Sequence, residues 1–286
     1  MVDAVKDQKD KSTWFRYILP PDPGIWIVFI VPIVSGVALA KTIDPAVILF
    51  LLTATALLFA QNPLRVAFVK RRECWEHRPA RAALSALAIL GAVGIICVAI
   101  LLFAYHLWML LPLGIFAVGT LFLHACQVER NKHKSPFSQL IGLFALTSNG
   151  FSVTYVSWKL PSSAGLMIWL ITFVVFAVSI ANMNFQSRLK YISPQRIRLQ
   201  RRLRYAFPAL VGNVGMVVVA ALFYRSGDLP LISISATGML AVYTVGMIIV
   251  SDGTFVRHQI GQRELLALSV WGCLFAAGVL GMDLHF

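Results

Sequence analysis

Residues 82–104 read AALSALAILGAVGIICVAILLFA, 23 positions without one charge. About 20 consecutive apolar residues are what a helix needs to cross roughly 30 Å of hydrocarbon. Only a helix satisfies every backbone N–H and C=O within such a run. The two flanks differ. Asn62–Arg81 upstream carries Arg65, Lys70, Arg71, Arg72, Arg78 and Arg81, whereas Tyr105–His106 downstream carries no Lys or Arg. Basic loops stay cytoplasmic, so this segment enters the membrane from inside.

Read outward from it, the hydropathy gives nine apolar segments. They lie at about Gly24–Ala40, Pro45–Gln61, Ala82–Ala104, Leu107–Cys126, Phe137–Trp158, Ser162–Met183, Tyr205–Phe223, Leu229–Val250 and Leu265–Leu284. Alternating in direction, they sort 22 of the 25 Lys and Arg residues to one face and leave only Lys41, Lys159 and Arg225 on the other. The expected fold is an all-α polytopic membrane bundle of nine transmembrane helices. Residues 1–23 form a cytoplasmic N-terminal segment, and 24–286 form a single transmembrane domain with a periplasmic C-terminus. No short apolar run with a cleavage site precedes the first segment, so no removable signal peptide is expected.

Composition agrees. Hydrophobic residues make up 58% and charged residues 13%, against about 25% charged in a soluble chain. The net charge of +13 follows from the inward bias and suits anionic headgroups. The expected partner is membrane lipid, not nucleic acid.

Cysteine and histidine carry little chemistry. Cys97, Cys126 and Cys273 fall in or at the ends of apolar segments, Cys74 falls in an inner loop, and there is no C-x-x-C pair. The six histidines include no H-x-x-x-H or H-x-x-H spacing. Neither a metal site nor a cofactor is expected.

The segments read as free of charge at their centres. All 12 acids are assigned to loops or segment ends, with Glu264 closing the inner loop Ser251–Glu264. Ion-coupled carriers usually place an ionisable residue inside the membrane, so this pattern argues against one. Among uncharged polar residues, Gln139, Asn149 and Asn213 are candidates to line a cavity. Asn149 sits in Thr147-Ser148-Asn149-Gly150, a polar interruption of the fifth segment.

Inner connections are longer than outer ones, and functional residues concentrate on loops held by a rigid scaffold. Arg130, Lys132 and Lys134 precede the fifth segment; Arg188 and Lys190 follow the sixth. These five form the candidate site for an anionic lipid headgroup or phosphate, because basic side chains, Arg above all, match phosphate oxygens. The positive-inside bias would place bases in the same loops without any site. Ser193-Pro194 starts an Arg-rich amphipathic stretch of the kind that lies on anionic lipid.

Nine helices with the N-terminus inside resemble the UbiA superfamily of intramembrane prenyltransferases. The run Arg130-Asn131-Lys132-His133-Lys134-Ser135-Pro136-Phe137-Ser138-Gln139-Leu140-Ile141-Gly142 is similar to that superfamily's basic stretch before its fifth helix. Asn62 and Arg78-Pro79 are similar to the Asn and Arg-Pro that bracket its first Asp-rich motif. The Asp-rich motifs themselves are missing. Asn62–Arg81 has only Glu73 and Glu76, and Asn184–Arg204 has no acid. Mg²⁺ therefore lacks its usual carboxylates there. If the chain is an enzyme, the resemblance implies a divergent transferase without the Mg²⁺-diphosphate site.

The chain more closely resembles the YwiC-like family of bacterial membrane proteins, whose function is undefined. Pro20-Pro21-Asp22-Pro23-Gly24-Ile25-Trp26, leading into Pro32 and Gly36, is similar to the family's start; there a His-Gly-Ala-Trp run stands in place of Asp22 to Trp26. Asn182–Arg188 occupies the position of the family's aromatic-to-basic exit. This resemblance implies a bacterial cytoplasmic (inner) membrane protein. Two functions stay open: binding of an isoprenoid-type lipid or phospholipid from the cytoplasmic face, or a small-molecule permease or non-catalytic subunit of a membrane complex.

Overall fold

The computed structural model describes residues 23–69, 78–129, 136–189, 199–227, 229–250 and 257–282. They form ten helices: α1 (Pro23–Ala40), α2 (Pro45–Val69), α3 (Arg78–Phe103), α4 (Leu110–Glu129), α5 (Pro136–Thr147), α6 (Asn149–Trp158), α7 (Ser163–Leu189), α8 (Leu199–Arg225), α9 (Leu231–Val250) and α10 (Arg257–Leu280).

Seven stretches are long and apolar enough to cross a membrane: Pro45–Leu64, Ala83–Phe103, Ser138–Trp158, Ser163–Gln186, Arg204–Arg225, Leu231–Ile249 and Gly261–Leu280. Shorter apolar helices at Gly24–Ala40 and Leu110–Thr120 meet the first and fourth expected segments. Large apolar side chains point outward along these helices, among them Ile95 at 72% and Val242 at 74% exposure. In water such surface would drive aggregation; in hydrocarbon it costs nothing. The chain is an all-α polytopic membrane bundle.

The helices gather into two compact units. The first comprises Ile43–Leu146 and so holds α2 to α5; the second comprises Trp26–Thr42 and Thr147–Phe286 and so holds most of α1 with α6 to α10. In the first unit, α3 and α4 both pack on α2. Phe116 of α4 meets Phe144 of α5 edge-on with ring centroids 5.4 Å apart. Pro112 falls in the first turn of α4, where its missing N–H breaks no helical bond.

In the second unit α7 is central. It packs against α6, α8, α9 and α10, and 56% of its span is buried. Small residues set the close crossings. A methyl group on Gly36 would stand 2.7 Å from the Gly150 carbonyl oxygen, and one on Gly150 would stand 2.7 Å from Ile168 Cγ2. Without a hydrophobic drive between helices in lipid, such close backbone approach supplies the dispersion contact that holds them. The polar interruption expected at Thr147–Gly150 is present: Ser148 divides α5 from α6, while Ser152 N–H still donates to the Ser148 carbonyl at 3.0 Å.

The bases assigned to the outer face share a local role. Lys41 and Lys159 each follow a helix in the left-handed conformation, with φ of 55° and 59°, and Arg225 ends α8. The Lys159 N–H caps α6 by donating to the Tyr155 carbonyl at 2.8 Å. A cation at a helix C-terminus is favoured by the macrodipole, which gives these three residues a reason independent of topology.

Candidate functional site

The site grows from a stripe on α7. Ser179, Asn182 and Gln186 are spaced three and four apart, which places them on one helical face. All three are buried, at 6%, 0% and 1% exposure. The facing helix, α10, brings in Glu264 at 3% exposure. Ser179 Oγ donates to Glu264 Oε2 at 3.0 Å. Asn182 Nδ2 donates to Glu264 Oε1, and Gln186 Nε2 reaches the same oxygen at 3.5 Å. The carboxylate thus takes both amides on one oxygen and the lone hydroxyl on the other.

The far sides of the amides are unsatisfied. Asn182 Oδ1 and Gln186 Oε1 have no hydrogen-bond partner among the described residues. Each orphan acceptor costs about 1–3 kcal/mol. The centre is rich in acceptors and poor in donors.

Glu264 lies three residues into the span Gly261–Leu280, about 5 Å along the helix. Beyond it, aromatic rings fill the interface between the antiparallel α7 and α10. Trp271, two turns further along α10, meets Phe176 of α7 edge-on at 6.1 Å and stacks on Phe275 at 5.0 Å. Trp271 Nε1 donates to Thr237 Oγ1 of α9 at 3.4 Å, so the indole is fixed at its polar end. Phe176, Trp271 and Phe275 therefore bound the polar centre on that side.

On its outer side α10 forms a cleft of about 460 Å³ with α9, lined by Met239, Leu240, Met247, Leu266, Val270 and Trp271 among others, with Tyr243 and Arg263 supplying its polarity. Tyr243 is close enough to Glu264 and Arg263 to feel both charges, and its buried hydroxyl has no hydrogen-bond partner among the described residues.

The structure adds one feature that hydropathy does not show. Glu264 stands near a span end, as its place at the close of the inner loop Ser251–Glu264 leads one to expect, being the fourth residue of Gly261–Leu280; its burial against α7 is what a hydropathy reading lacks. The residue sits inside α10 with its carboxyl enclosed by α7. The signal was present as Ser179-x-x-Asn182-x-x-x-Gln186, polar residues spaced along one face of α7.

Of the residues expected to line a cavity, Gln139 lies half-buried on α5 in the first unit. Asn149 begins α6, half-buried, in the second. Asn213 of α8 is buried at 3% and donates to the Ala209 carbonyl of its own helix at 2.7 Å. Neither Asn149 nor Asn213 lines the α9–α10 cleft. Of the candidate anion site, Arg130, Lys132, Lys134 and Lys190 lie outside the described residues; Arg188 is on α7, with its side chain outside them. No group of three His, Cys, Asp or Glu gathers among the described residues to hold a metal ion.

The model of the family described as YwiC-like protein matches residues 19–155, a little under half of the chain. No curated protein and no solved structure matches it. The matched stretch contains the Pro20–Trp26 entry sequence and ends before Ser179, so the polar centre lies wholly outside it.

Proposed function

We propose that the chain is a carrier of the permease class, with the Glu264 centre as its polar binding step. The observation that supports this reading is the enclosure of one carboxylate by Ser179, Asn182 and Gln186 within two facing spans. An ionisable group inside a membrane span is costly and usually persists for function. A purely structural helix contact would do better with apolar residues of similar size. The proposal includes nine spans, N-terminus cytoplasmic and C-terminus periplasmic, in a bacterial inner membrane. The UbiA-like layout and membership of the YwiC-like family are parts of the same reading.

The test is accessibility from both faces. In a background without Cys74, Cys97, Cys126 and Cys273, Gln186→Cys should react with a membrane-impermeant maleimide added to either side of sealed vesicles. Labelling from one side alone would overturn the carrier reading.

A second reading, binding of an amphiphilic lipid, is supported by the α9–α10 cleft. Its volume falls within the range of ligand pockets, and Arg263 provides a positive end to an apolar channel. That arrangement suits an acyl or isoprenoid chain with an anionic head. A photoreactive fatty acid should then label α9 or α10, and Arg263→Gln should weaken the labelling. Equal labelling in both proteins would remove this reading. The five loop bases Arg130, Lys132, Lys134, Arg188 and Lys190 remain proposed headgroup contacts.

A further inference from the structure

We propose that the species exchanged at the Glu264 centre is a proton, seated on Oε2, and that Ser179 is the group that reverses to admit it. The inference rests on the carrier reading above and names what that carrier couples to.

It comes from the asymmetry of the two carboxylate oxygens. Oε1 receives both amide donors, from Asn182 and Gln186. That is the environment of a carbonyl oxygen, and it suits the acid and the anion equally. Oε2 receives only Ser179 Oγ, at 3.0 Å. Among the three partners a hydroxyl alone can both donate and accept at one atom. In the anion, the Ser179 O–H points at Oε2. In the acid, the new Oε2–H bond donates to Ser179 Oγ, and the serine proton must find another acceptor.

That acceptor is supplied by the helix. Hydroxyls elsewhere in the same unit donate to the carbonyl four residues back: Ser152 to Ser148 at 3.0 Å, Ser157 to Val153 at 3.1 Å, Ser269 to Leu265 at 2.8 Å. For Ser179 the corresponding carbonyl is Val175 on α7. Turning the serine O–H about its Cβ–Oγ bond, with Oγ kept beside Oε2, therefore exchanges donation for acceptance at that contact and directs the serine proton to the α7 backbone, with no movement of either helix. The step balances: a hydronium ion that reaches the centre gives its proton to Oε2 and leaves water, and release runs in reverse.

A metal cation fits less well. To share an ion with the carboxylate, the orphan Asn182 Oδ1 and Gln186 Oε1 would both have to turn inward. Their NH₂ groups would then point into the buried positions the oxygens now occupy, with no acceptor gained. Among the described residues, other charged or titratable groups near the centre are few. Arg263 precedes Glu264 on α10, and Tyr243 faces it from α9. From α7 the three described partners are uncharged, and the Arg188 side chain lies outside the described residues.

The experiment uses purified full-length protein in detergent and dicyclohexylcarbodiimide, an apolar reagent that adds to a protonated carboxyl. Labelling is located by peptide mass spectrometry. Glu264 should be modified, Glu264→Gln should not be, and labelling should fall as pH rises. Sodium or lithium chloride at fixed pH should not protect, relative to choline chloride. Protection by sodium would assign the seat to a metal cation and overturn the proposal, as would absence of labelling at every pH. For the switch, proteoliposomes loaded with a pH-sensitive dye report proton entry under a potassium diffusion potential. Ser179→Ala should slow entry by roughly tenfold or more, and Ser179→Thr, which keeps the hydroxyl, should restore it. Equal rates in Ser179→Ala and wild type would remove Ser179 from the mechanism. The outcomes separate from those of the carrier test. Two-sided thiol labelling with sodium protection leaves the carrier and removes the proton; one-sided labelling with pH-dependent modification does the opposite.

Discussion

Ser179 Oγ and Glu264 Oε2 lie 3.0 Å apart although 85 residues separate them in the chain. The contact ties α7 to α10 at a point where both helices are buried, and among the described residues every other donor to that carboxylate also comes from α7. Helix packing and charge satisfaction are therefore coupled at this one place. Anything that separates the two helices exposes or strands the carboxylate.

Removing a donor should accordingly cost more than removing the charge. Asn182→Leu leaves Glu264 Oε1 short of its nearer donor and should destabilise the protein by about 1–3 kcal/mol. Polar contacts in membrane proteins average nearer 0.6 kcal/mol, so a value at the upper end would mark the carboxylate as charged in the folded state. Glu264→Gln alone keeps a carbonyl oxygen for Asn182 and an NH₂ for Ser179 and should be close to neutral. In the Asn182→Leu background it should recover part of the loss. Reversible unfolding in mixed micelles, read as a double-mutant cycle, checks this. Additive effects would show that Asn182 and Glu264 do not interact.

The crossing of α1 and α6 makes a second prediction. Gly36→Ala would drive a methyl group to 2.7 Å from the Gly150 carbonyl oxygen, and Gly150→Ala would drive one to 2.7 Å from Ile168 Cγ2. Both contacts press on backbone or on a packed side chain that is itself buried. Each substitution should cost about 1–3 kcal/mol, the usual range for overpacking. Gly91→Ala and Gly94→Ala on α3 meet nothing within 4 Å and should be neutral or slightly stabilising through helix propensity. Thermal unfolding in detergent should separate the two pairs; similar shifts in all four would show that the crossing tolerates a methyl group.

These particulars show what hydropathy can and cannot resolve. Residues 82–104 announce α3 because every position contributes the same sign, and the break at Ser148 announces itself as four polar or small residues in a row. Glu264 does neither. It is the fourth residue of a 20-residue apolar span, so averaging over the span hides it, and its neighbour Arg263 makes the pair look like a loop end. Its burial is decided by three side chains on a helix some 80 residues earlier, a relationship no local window contains. Asn213 is a buried amide whose two ends differ: its Nδ2 donates to its own helix at the Ala209 carbonyl, while its Oδ1 has no partner among the described residues.

Lys159 carries strain that a substitution can release. At φ 59° a residue with a Cβ is disfavoured by roughly 1–2 kcal/mol relative to the right-handed region, and glycine is not. Lys159→Gly should therefore gain stability, less about 0.3–1 kcal/mol for the lost interaction of the cation with the α6 C-terminus. The net expectation is a gain between about zero and about 1.7 kcal/mol, and Lys159→Val should be less stable than wild type because branching worsens the left-handed conformation. The melting temperatures should rank Gly above Lys above Val. Val equal to or above Gly would mean that the turn is not held left-handed in the folded protein.

The two short apolar helices decide the topology, and the C-terminus cannot. Seven spans and nine spans are both odd, so either number puts the residues after α10 opposite the N-terminus. The informative positions are the turns after α1 and before α4. If α1 crosses, Thr42 faces away from the N-terminal segment; if it only enters and returns, Thr42 faces the same side. If α3 and α4 both cross, His106 is outside and the basic run 130–135 is inside. The charge sorting of 22 to 3 predicts Thr42 and His106 outside, with 70–77 and 130–135 inside. Single cysteines placed at Thr42, His106, Cys74 and Asn131 in a background without the other cysteines read this directly. The first two should react with an impermeant maleimide added outside whole cells, and the last two only after the membrane is opened. Protection of Thr42 in whole cells would take α1 out of the count of spans, and protection of His106 would do the same for the pairing of α3 with α4.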